Sequence, residues 1–409
     1  MTRRIWELLA ILTWAAASLV GCGGDDDTSA NLPKIIIDSD YNTMGDDGQL
    51  GVMAAQLQAQ RRIKVMGITV VSGNQWLKQE VADALKSVER LGVGDRIGVY
   101  AGANHPLTHD HAAVQADIAA GMGGDGYLGA WASPEPQSDA DLKPPPDGFA
   151  THTQVQPKGA VDFIVDTVKA YPHQITILAI GPLTNIAQAT TRNPEIVPLI
   201  KQIIYMGGAV HVPGNTTATA EFNWWFDPLA VQRVLRLPIP QVVLPLDVTD
   251  TVLLTKPVYD RIAHPANPTI VTQLYQKLNG YGFDGVNGFE TNPNYTQSIW
   301  DTLTLAYLID PTFATQTVDE YVDVNTTVGA DDGRATGYAT PPPGVALQKV
   351  TVVKRFDNAR FFDFYVDLLT RPVPVNFDTQ AAVRAPLSSD VPRFAGTRIP
   401  AGAAVRFAS

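Results

Sequence analysis

The sequence contains a single cysteine, Cys22, so a disulfide within one chain is excluded. The apolar run from Leu8 to Val20 has thirteen residues, which is too short for a helix that crosses a bilayer. Basic residues are also scarce, with 30 Lys and Arg against 41 Asp and Glu and a net charge of −11 at pH 7. Because phosphate recognition requires a basic face, this balance argues against nucleic acid as a partner.

Two common kinds of catalytic motif are missing as well. The sequence has no Gly-rich phosphate loop that ends in Gly-Lys. One cysteine and 7 histidines, most of them in predicted loops, do not form a persuasive Ser-His-Asp or Cys-His set. The sequence therefore favours neither of these two kinds of catalysis.

The N-terminus is typical of a bacterial lipoprotein. A short basic start precedes the apolar run, and Leu19-Val20-Gly21-Cys22 resembles a lipobox. We therefore expect residues 1–21 to be a signal peptide, Cys22 to be lipidated, and residues 22–32 to form a flexible tether. The expected location is outside the cytoplasm, lipid-anchored to a bacterial membrane on its periplasmic side, and Gly23 favours the outer membrane. The alternative is a plain secretory signal with a coincidental cysteine.

From residue 33 to residue 370 strand-like and helical patterns alternate. Strands are predicted at 35–37, 63–71, 97–100, 174–180, 202–206, 241–246, 318–325 and 348–354, and helices at 49–60, 81–91, 159–171, 228–235, 302–309 and 358–369. Residues 101–158 read as a long irregular segment, 252–308 as mostly helical, and 371–409 as an extended C-terminal extension. This alternation predicts a single large α/β domain with a mostly parallel, Rossmann-like central sheet, flanked by helices on both faces.

Four carboxylates follow the first predicted strand within ten residues: Asp38, Asp40, Asp46 and Asp47. No Lys or Arg lies between Lys34 and Arg61, and like charges this close cannot all stay ionised without compensation. A hard divalent cation supplies that compensation, and carboxylate oxygens suit Ca²⁺ or Mg²⁺. The alternative is a solvated acidic turn.

Further polar groups follow other predicted strands, and parallel strands bring their carboxyl ends to one edge. Asn215, Glu221 and Asn223 lie in one polar loop and are suited to binding sugar hydroxyls, while Trp300 offers a flat face for a ring. The residues thus favour a cation-activated water that attacks a polyhydroxylated ligand.

Several motifs resemble those of the calcium-dependent nucleoside hydrolases, the inosine-uridine-preferring superfamily. They are Asp38-Ser39-Asp40 with Asp46-Asp47, Gly67–Asn74, Gly181–Asn185, Met206–Gly208, Gly214-Asn215 with Ala220–Asn223 and Asp227-Pro228, and Trp300-Asp301. The resemblance covers residues 34–370. It implies hydrolysis of the N-glycosidic bond of a ribonucleoside to ribose and free base, with a water bound to Ca²⁺. It also implies a small-molecule nucleoside substrate and a homodimer or homotetramer.

The resemblance assigns a role to each matching residue. The metal ligands are Asp40, Asp47, the main-chain carbonyl of Ile180, and Asp301. The catalytic residues are Asp40 as general base, Asn74 beside the water and ribose, and Trp300. The substrate-binding residues are Asn42, Asp46, Met206, Asn215, Glu221 and Asn223.

The sequence departs from the commonest form of these motifs in three places. Five residues separate Asp40 from Asp46, two more than usual, so Met44 lies where it can alter the ligand geometry. Trp300 and Met122 stand where many members have a histidine. Asn42 and Trp300 resemble the branch that prefers inosine, adenosine and guanosine, in which ring stacking activates the purine. The alternative for Trp300 is a core aromatic.

Three other functions remain open at this point. The first is a ribohydrolase for another N-riboside, such as a pyrimidine or nicotinamide nucleoside. The second is a lipoprotein that binds a nucleoside or ribose without turnover. The third is a Mg²⁺ phosphatase that uses the first Asp-x-Asp as nucleophile, although the sequence has no recognisable downstream lysine for it.

Overall fold

The structure is a computed structural model that describes residues 32–122, 126–282 and 285–377. Its strands are β1 (Lys34–Ser39), β2 (Lys64–Val70), β3 (Val99–Ala101), β4 (Ile175–Ala179), β5 (Gln202–Met206), β6 (Gln241–Leu244), β7 (Leu253–Thr255), β8 (Thr296–Ser298), β9 (Ala314–Val324), β10 (Ala335–Tyr338) and β11 (Lys349–Phe356). Its helices are α1 (Asp46–Ala59), α2 (Leu77–Arg90), α3 (His111–Ala119), α4 (Ala160–Ala170), α5 (Thr184–Arg192), α6 (Phe222–Phe226), α7 (Pro228–Leu235), α8 (Leu246–Thr249), α9 (Lys256–Ala263), α10 (Ile270–Asn279), α11 (Thr302–Ile309) and α12 (Asn358–Leu369).

The central sheet of the described residues has the order β10-β9-β11-β6-β5-β4-β1-β2-β3. The strands from β11 to β3 are parallel to their neighbours, and β9 and β10 add an antiparallel edge. The prediction of an α/β fold with a mostly parallel sheet is confirmed. Helices cover both faces because parallel strands need crossover connections.

The first strand shows why the sheet is buried on both faces. Ile35 and Ile37 pack into one hydrophobic cluster, and Ile36 packs into a different one. Successive side chains of a strand point to opposite faces, so a run of three isoleucines stabilises both layers at once. All three side chains are at most 1% exposed. A continuous apolar run therefore marks a central strand here.

The strand order places a crevice at the carboxyl end of β1. From β1 the chain continues to β2 and β3 on one side, whereas β4, β5 and β6 extend on the other side. The chain thus leaves β1 and β4 in opposite directions along the sheet. Open α/β sheets bind their ligands at such a switch point. Asp40 and Ile180, which follow β1 and β4, are thus brought to the same crevice.

Several predicted boundaries differ from the observed ones. The strand predicted at 241–246 ends at Leu244, because Pro245 has no N–H to donate to a neighbouring strand. The segment 252–308, predicted as mostly helical, contains the antiparallel pair β7–β8. Strands of three residues carry too little periodicity to be recognised from sequence.

The start of the C-terminal extension packs on the domain. The Val375 N–H donates to the Leu91 carbonyl at 2.8 Å, and the Val375 side chain is buried. Residues 378–409, the predicted signal peptide 1–21 and the lipidation site Cys22 lie outside the described residues. Within the described ranges, no helix combines the length and apolarity that crossing a membrane would require.

Candidate active site

The carboxylates after β1 are held by the junction between a strand and a helix. β1 ends at Ser39, and α1 begins with Asp46 and Asp47 in its first turn. Negative charge is favourable at that end of a helix, where backbone N–H groups are unpaired. The Ser39 hydroxyl donates to Asp47 Oδ1 at 2.6 Å, which ties the helix start to the end of the strand.

A carboxylate from a distant part of the chain joins this group. Asp46, Asp47 and Asp301 each offer an oxygen atom, and these oxygens lie within 4.8 Å of one another. Burial raises the pKa of all three carboxyls, and for Asp47 and Asp301 the charges of neighbouring carboxylates raise it further. The structure thus brings Asp301 to Asp47, and it places Asp46, which the resemblance assigns to substrate, in the same group.

Asp40 lies beside these carboxylates in a tight cradle. Its Oδ2 accepts the Asn74 N–H at 2.9 Å, whereas its buried Oδ1 has no hydrogen-bond partner within the described ranges. A Cβ atom at Gly73 would be 2.2 Å from Oδ2, and one at Gly181 would be 2.7 Å from Oδ1. Only glycine allows the backbone to come this close on both sides. Burial raises the pKa of Asp40 well above its usual value, and the charges of Asp46 and Glu221 add to this effect.

Two asparagines hold the carboxylates in place. Asn74 Nδ2 donates to the Asp40 carbonyl at 2.9 Å and to Asp47 Oδ2 at 3.1 Å. Asn42 Nδ2 donates to the same Asp47 oxygen at 2.9 Å. Both predicted site residues therefore contact the acidic group directly.

Met44, in the loop that separates Asp40 from Asp46, packs into the core. Its side chain is 1% exposed and belongs to a hydrophobic cluster of the core. Its carbonyl accepts Gln49 Nε2 at 3.0 Å and Asn279 Nδ2 at 3.2 Å. The Met44 side chain therefore contributes to packing of the core.

The polar loop before α6 forms a wall beside Ile180. Glu221 accepts the N–H groups of Gly208, Asn223 and Trp224 at 2.8, 2.8 and 3.1 Å. Burial raises the pKa of Glu221 to about 7. Asn223 Nδ2 lies 3.2 Å from the Ile180 carbonyl and 3.6 Å from Met206 Sδ. The Asn223 amide thus contacts both Ile180 and Met206, so these three predicted site residues lie together.

The remaining predicted residues have mixed surroundings. Asn215 Oδ1 accepts the Phe222 N–H at 3.0 Å and so shapes the same loop. Trp300 is half-buried, packs against the core, and donates its indole N–H to Asp250 Oδ1 at 3.1 Å. Trp224 and Trp225, the two residues that follow Asn223, are fully buried in the core.

Two residues near the site were missed by sequence reasoning. The Tyr127 hydroxyl donates to Asn74 Oδ1 at 2.7 Å, and in the sequence Tyr127 directly follows the Gly-rich stretch that begins at Met122. Glu80 accepts the N–H groups of Gly73 and Gln75 at 3.3 and 2.6 Å and so shapes the turn that carries Asn74. Glu80 belongs to α2, which begins at Leu77, before the predicted start of that helix.

The residues present fit a hard divalent cation. The donors are carboxylate and carbonyl oxygens, and Asp40 Oδ1 is buried without a partner. In the part of the chain that the structure describes, no Lys, Arg or His forms an ion pair with Asp40, Asp46, Asp47 or Asp301. Negative charge therefore accumulates here without a cationic side chain to balance it.

Comparison with known proteins gives a consistent result. The family described as inosine-uridine preferring nucleoside hydrolase matches residues 35–363. The pyrimidine-specific ribonucleoside hydrolase RihB of Escherichia coli O157:H7 is 32% identical over 301 residues, covering 74% of this chain and 86% of RihB. An uncharacterised protein of Schizosaccharomyces pombe is 40% identical over 224 residues, which is 53% of this chain and 62% of that protein.

Solved structures share the fold. A purine-preferring ribonucleoside hydrolase from Gardnerella vaginalis superposes with a TM-score of 0.64 at 26% identity, over 82% of this chain and 98% of the other. A plant nucleoside hydrolase superposes with a TM-score of 0.64 at 21% identity, over 83% of this chain and 99% of the other.

Proposed function

Because the chain belongs to the inosine-uridine preferring nucleoside hydrolase family, we propose that it hydrolyses the N-glycosidic bond of purine ribonucleosides to ribose and free base. The observation that supports this most is the group of buried carboxylates at the switch point of the sheet. Such a group can hold a cation, accept a proton and stabilise positive charge on a sugar ring. Proton transfer and the stabilisation of positive charge on the sugar are the tasks that carboxylates perform in glycosidic hydrolysis.

Ca²⁺ would be held by Asp40, Asp47, Asp301 and the Ile180 carbonyl. Asp46 lies close enough to Asp47 and Asp301 to share this task. When bound, the cation supplies positive charge to the carboxylates and lowers the pKa of a water molecule.

Asp40 has the properties of the general base. Its Oδ2 is fixed by the Asn74 N–H, while its Oδ1 is unpaired and can take a proton from a water molecule. Asn74 fixes the orientation of Asp40 and lies where it can also contact the ribose.

The ribose would be bound by the two walls of the crevice. Asp46 and Asn42 would contact it from one side, and Asn215, Glu221, Asn223 and Met206 from the other. As the bond to the base breaks, positive charge develops on the sugar, and preorganised carboxylates stabilise that charge. Glu221 already accepts three backbone N–H groups, so its position is fixed before substrate arrives.

The preference for purines rests on Trp300. Its half-buried indole directly precedes Asp301 and can stack on a base, and stacking is stronger for the larger purine ring. A preference for pyrimidines is the second candidate, and the similarity to RihB favours it.

Release of reducing sugar tests the activity. The dialysed protein is incubated with inosine, uridine or nicotinamide riboside at several Ca²⁺ concentrations, with Asp301→Asn as control. We expect Ca²⁺-dependent release, fastest from inosine and lost in the control. Binding of inosine without release at any Ca²⁺ concentration would instead identify a non-catalytic nucleoside-binding protein. Faster release from uridine would reverse the proposed base preference.

We also propose that the protein is exported and carries a lipid anchor on Cys22. The support comes from the sequence of residues 1–22 alone. In bacterial cells, the full chain should fractionate with membranes, and Cys22→Ser should move it to the soluble fraction. An unchanged distribution of the Cys22→Ser variant would refute the anchor.

A further inference from the structure

A second cluster of metal-ligating side chains lies outside the carboxylate group described above. His109, Asp117 and Asp332 each offer one ligand atom, and these atoms lie within 4.8 Å of one another. The three side chains are at most 1% exposed. His109 and Asp332 are 223 positions apart, so the cluster is created by the tertiary fold.

The distances in this cluster are those of neighbouring metal ligands. His109 Nε2 lies 2.9 Å from Asp332 Oδ2 and 3.6 Å from Asp117 Oδ2. Ligands about 2.0 Å from a tetrahedral zinc ion are roughly 3.3 Å apart. The 2.9 Å contact between His109 and Asp332 is a hydrogen bond in the metal-free protein, so only a small separation of these two atoms would admit an ion.

Two buried polar atoms of the cluster have no hydrogen-bond partner among the described residues. Asp332 Oδ1 and His109 Nδ1 are buried, and neither has a hydrogen-bond partner within the described ranges. A buried polar atom without a partner destabilises the folded state, because it has lost its hydrogen bond to water. Some further ligand would therefore be favourable at Asp332.

The net charge of the cluster also favours a bound cation. Among the described residues, the ion pairs of Asp117 and Asp332 are both with His109. Even with a protonated imidazole, two carboxylates leave one negative charge in a site that water does not reach, and such a charge is costly. One divalent cation with a neutral imidazole makes the cluster neutral.

Asp117 is oriented by groups that surround the cluster. The Trp225 indole N–H donates to its Oδ2 at 2.9 Å, and the Gly329 N–H donates to its Oδ1 at 3.0 Å. Ligating carboxylates are commonly fixed by such outer hydrogen bonds, because these set the direction of the remaining lone pairs.

From these observations we propose that His109, Asp117 and Asp332 bind a second divalent cation, of the transition-metal type represented by zinc. An imidazole with two carboxylates suits Zn²⁺ or Mn²⁺, whereas Ca²⁺ prefers oxygen ligands alone. The ion is held by three parts of the chain, because its ligands lie in the segment before α3, in helix α3, and in the turn between β9 and β10. Trp225 connects it to α6, which carries Asn223.

Zinc stoichiometry tests the site. The full chain is stripped with EDTA, equilibrated with Zn²⁺ in excess Ca²⁺, and desalted, and its metals are measured by mass spectrometry. The variants are Asp332→Asn, the neighbouring exposed Asp331→Asn, and Asp301→Asn of the carboxylate group. We expect one zinc per chain in the wild type, Asp331→Asn and Asp301→Asn, and none in Asp332→Asn. Zinc retained by Asp332→Asn overturns the proposal. Zinc lost from Asp301→Asn assigns the ion to the carboxylate group and also overturns it.

Spectroscopy on the wild type keeps the proposal testable if Asp332→Asn does not fold. X-ray absorption at the zinc edge should show a shell of nitrogen and oxygen near 2.0 Å with the outer scattering of one imidazole. A shell of oxygen alone would refute ligation by His109. Zn²⁺ should also raise the thermal midpoint of the wild type but not that of His109→Gln, and equal shifts would contradict the site.

Discussion

Removal of calcium should destabilise the protein by an amount that depends on pH. In the folded state burial raises the pKa of Asp40, Asp47 and Asp301. Below about pH 3 these carboxyls are mostly protonated in both the folded and the unfolded state. As the pH rises toward the folded pKa values, the unfolded state loses its protons first, so the cation-free protein loses stability. Bound calcium compensates the charges and should cancel this loss.

The expected size follows from binding linkage. At a concentration one hundred times its dissociation constant, calcium stabilises the folded state by about 2.7 kcal/mol. For a domain of this size, that corresponds to a shift of roughly 4 °C in Tm. Where a ligand carboxyl is protonated in the calcium-free protein, calcium must displace that proton. Each such proton weakens calcium binding by about 1.4 kcal/mol for every unit by which the pH falls. A shift of about 4 °C at pH 8 should therefore fall toward zero at pH 5.

Scanning fluorimetry of the dialysed protein with and without Ca²⁺, at pH 5 and pH 8, measures this dependence. Asp301→Asn should lose most of the calcium shift at pH 8. Asp166→Asn, which changes an exposed carboxylate paired with Lys158, should keep it. A calcium shift of equal size at both pH values would refute the reasoning, as would an undiminished shift in Asp301→Asn.

Three further substitutions test single residues. Asp40→Asn should lower kcat at least a hundredfold while the circular dichroism spectrum stays unchanged, because it removes the proton acceptor. Trp300→Ala should reduce kcat/KM for inosine more than for uridine, since the loss of a stacking face matters most for the larger base. Tyr127→Phe should reduce kcat about threefold to tenfold, because Asn74 loses the hydroxyl that orients its amide.

Each of these expectations has a contrary outcome in the same assay. Near-normal turnover of Asp40→Asn would remove its role as base. An equal loss for inosine and uridine in Trp300→Ala would mean that Trp300 is a packing residue. Unchanged kinetics of Tyr127→Phe would show that Asn74 is held well enough by its own bonds to Asp40 and Asp47.

The sequence was most informative where a pattern is local. The isoleucines of β1 predicted a strand, and in the structure they lie in two different clusters, one on each face of the sheet. The short strands β7 and β8 were missed, because three residues do not establish a period. Asp247 follows a predicted strand but does not join the carboxylate group. It accepts the Val210 N–H at 2.9 Å and pairs with Lys354.

Sequence alone determined the alternation of the main strands and helices, the likeness to a family, and a concentration of carboxylates after β1. Those properties are local, since they depend on residues a few positions apart. The tertiary structure decided which distant groups complete each site. It brought Asp301 to Asp46 and Asp47, Tyr127 to Asn74, and His109 to Asp332. Such contacts depend on the order of strands in the sheet and the paths of long loops, and no periodicity in the sequence encodes them.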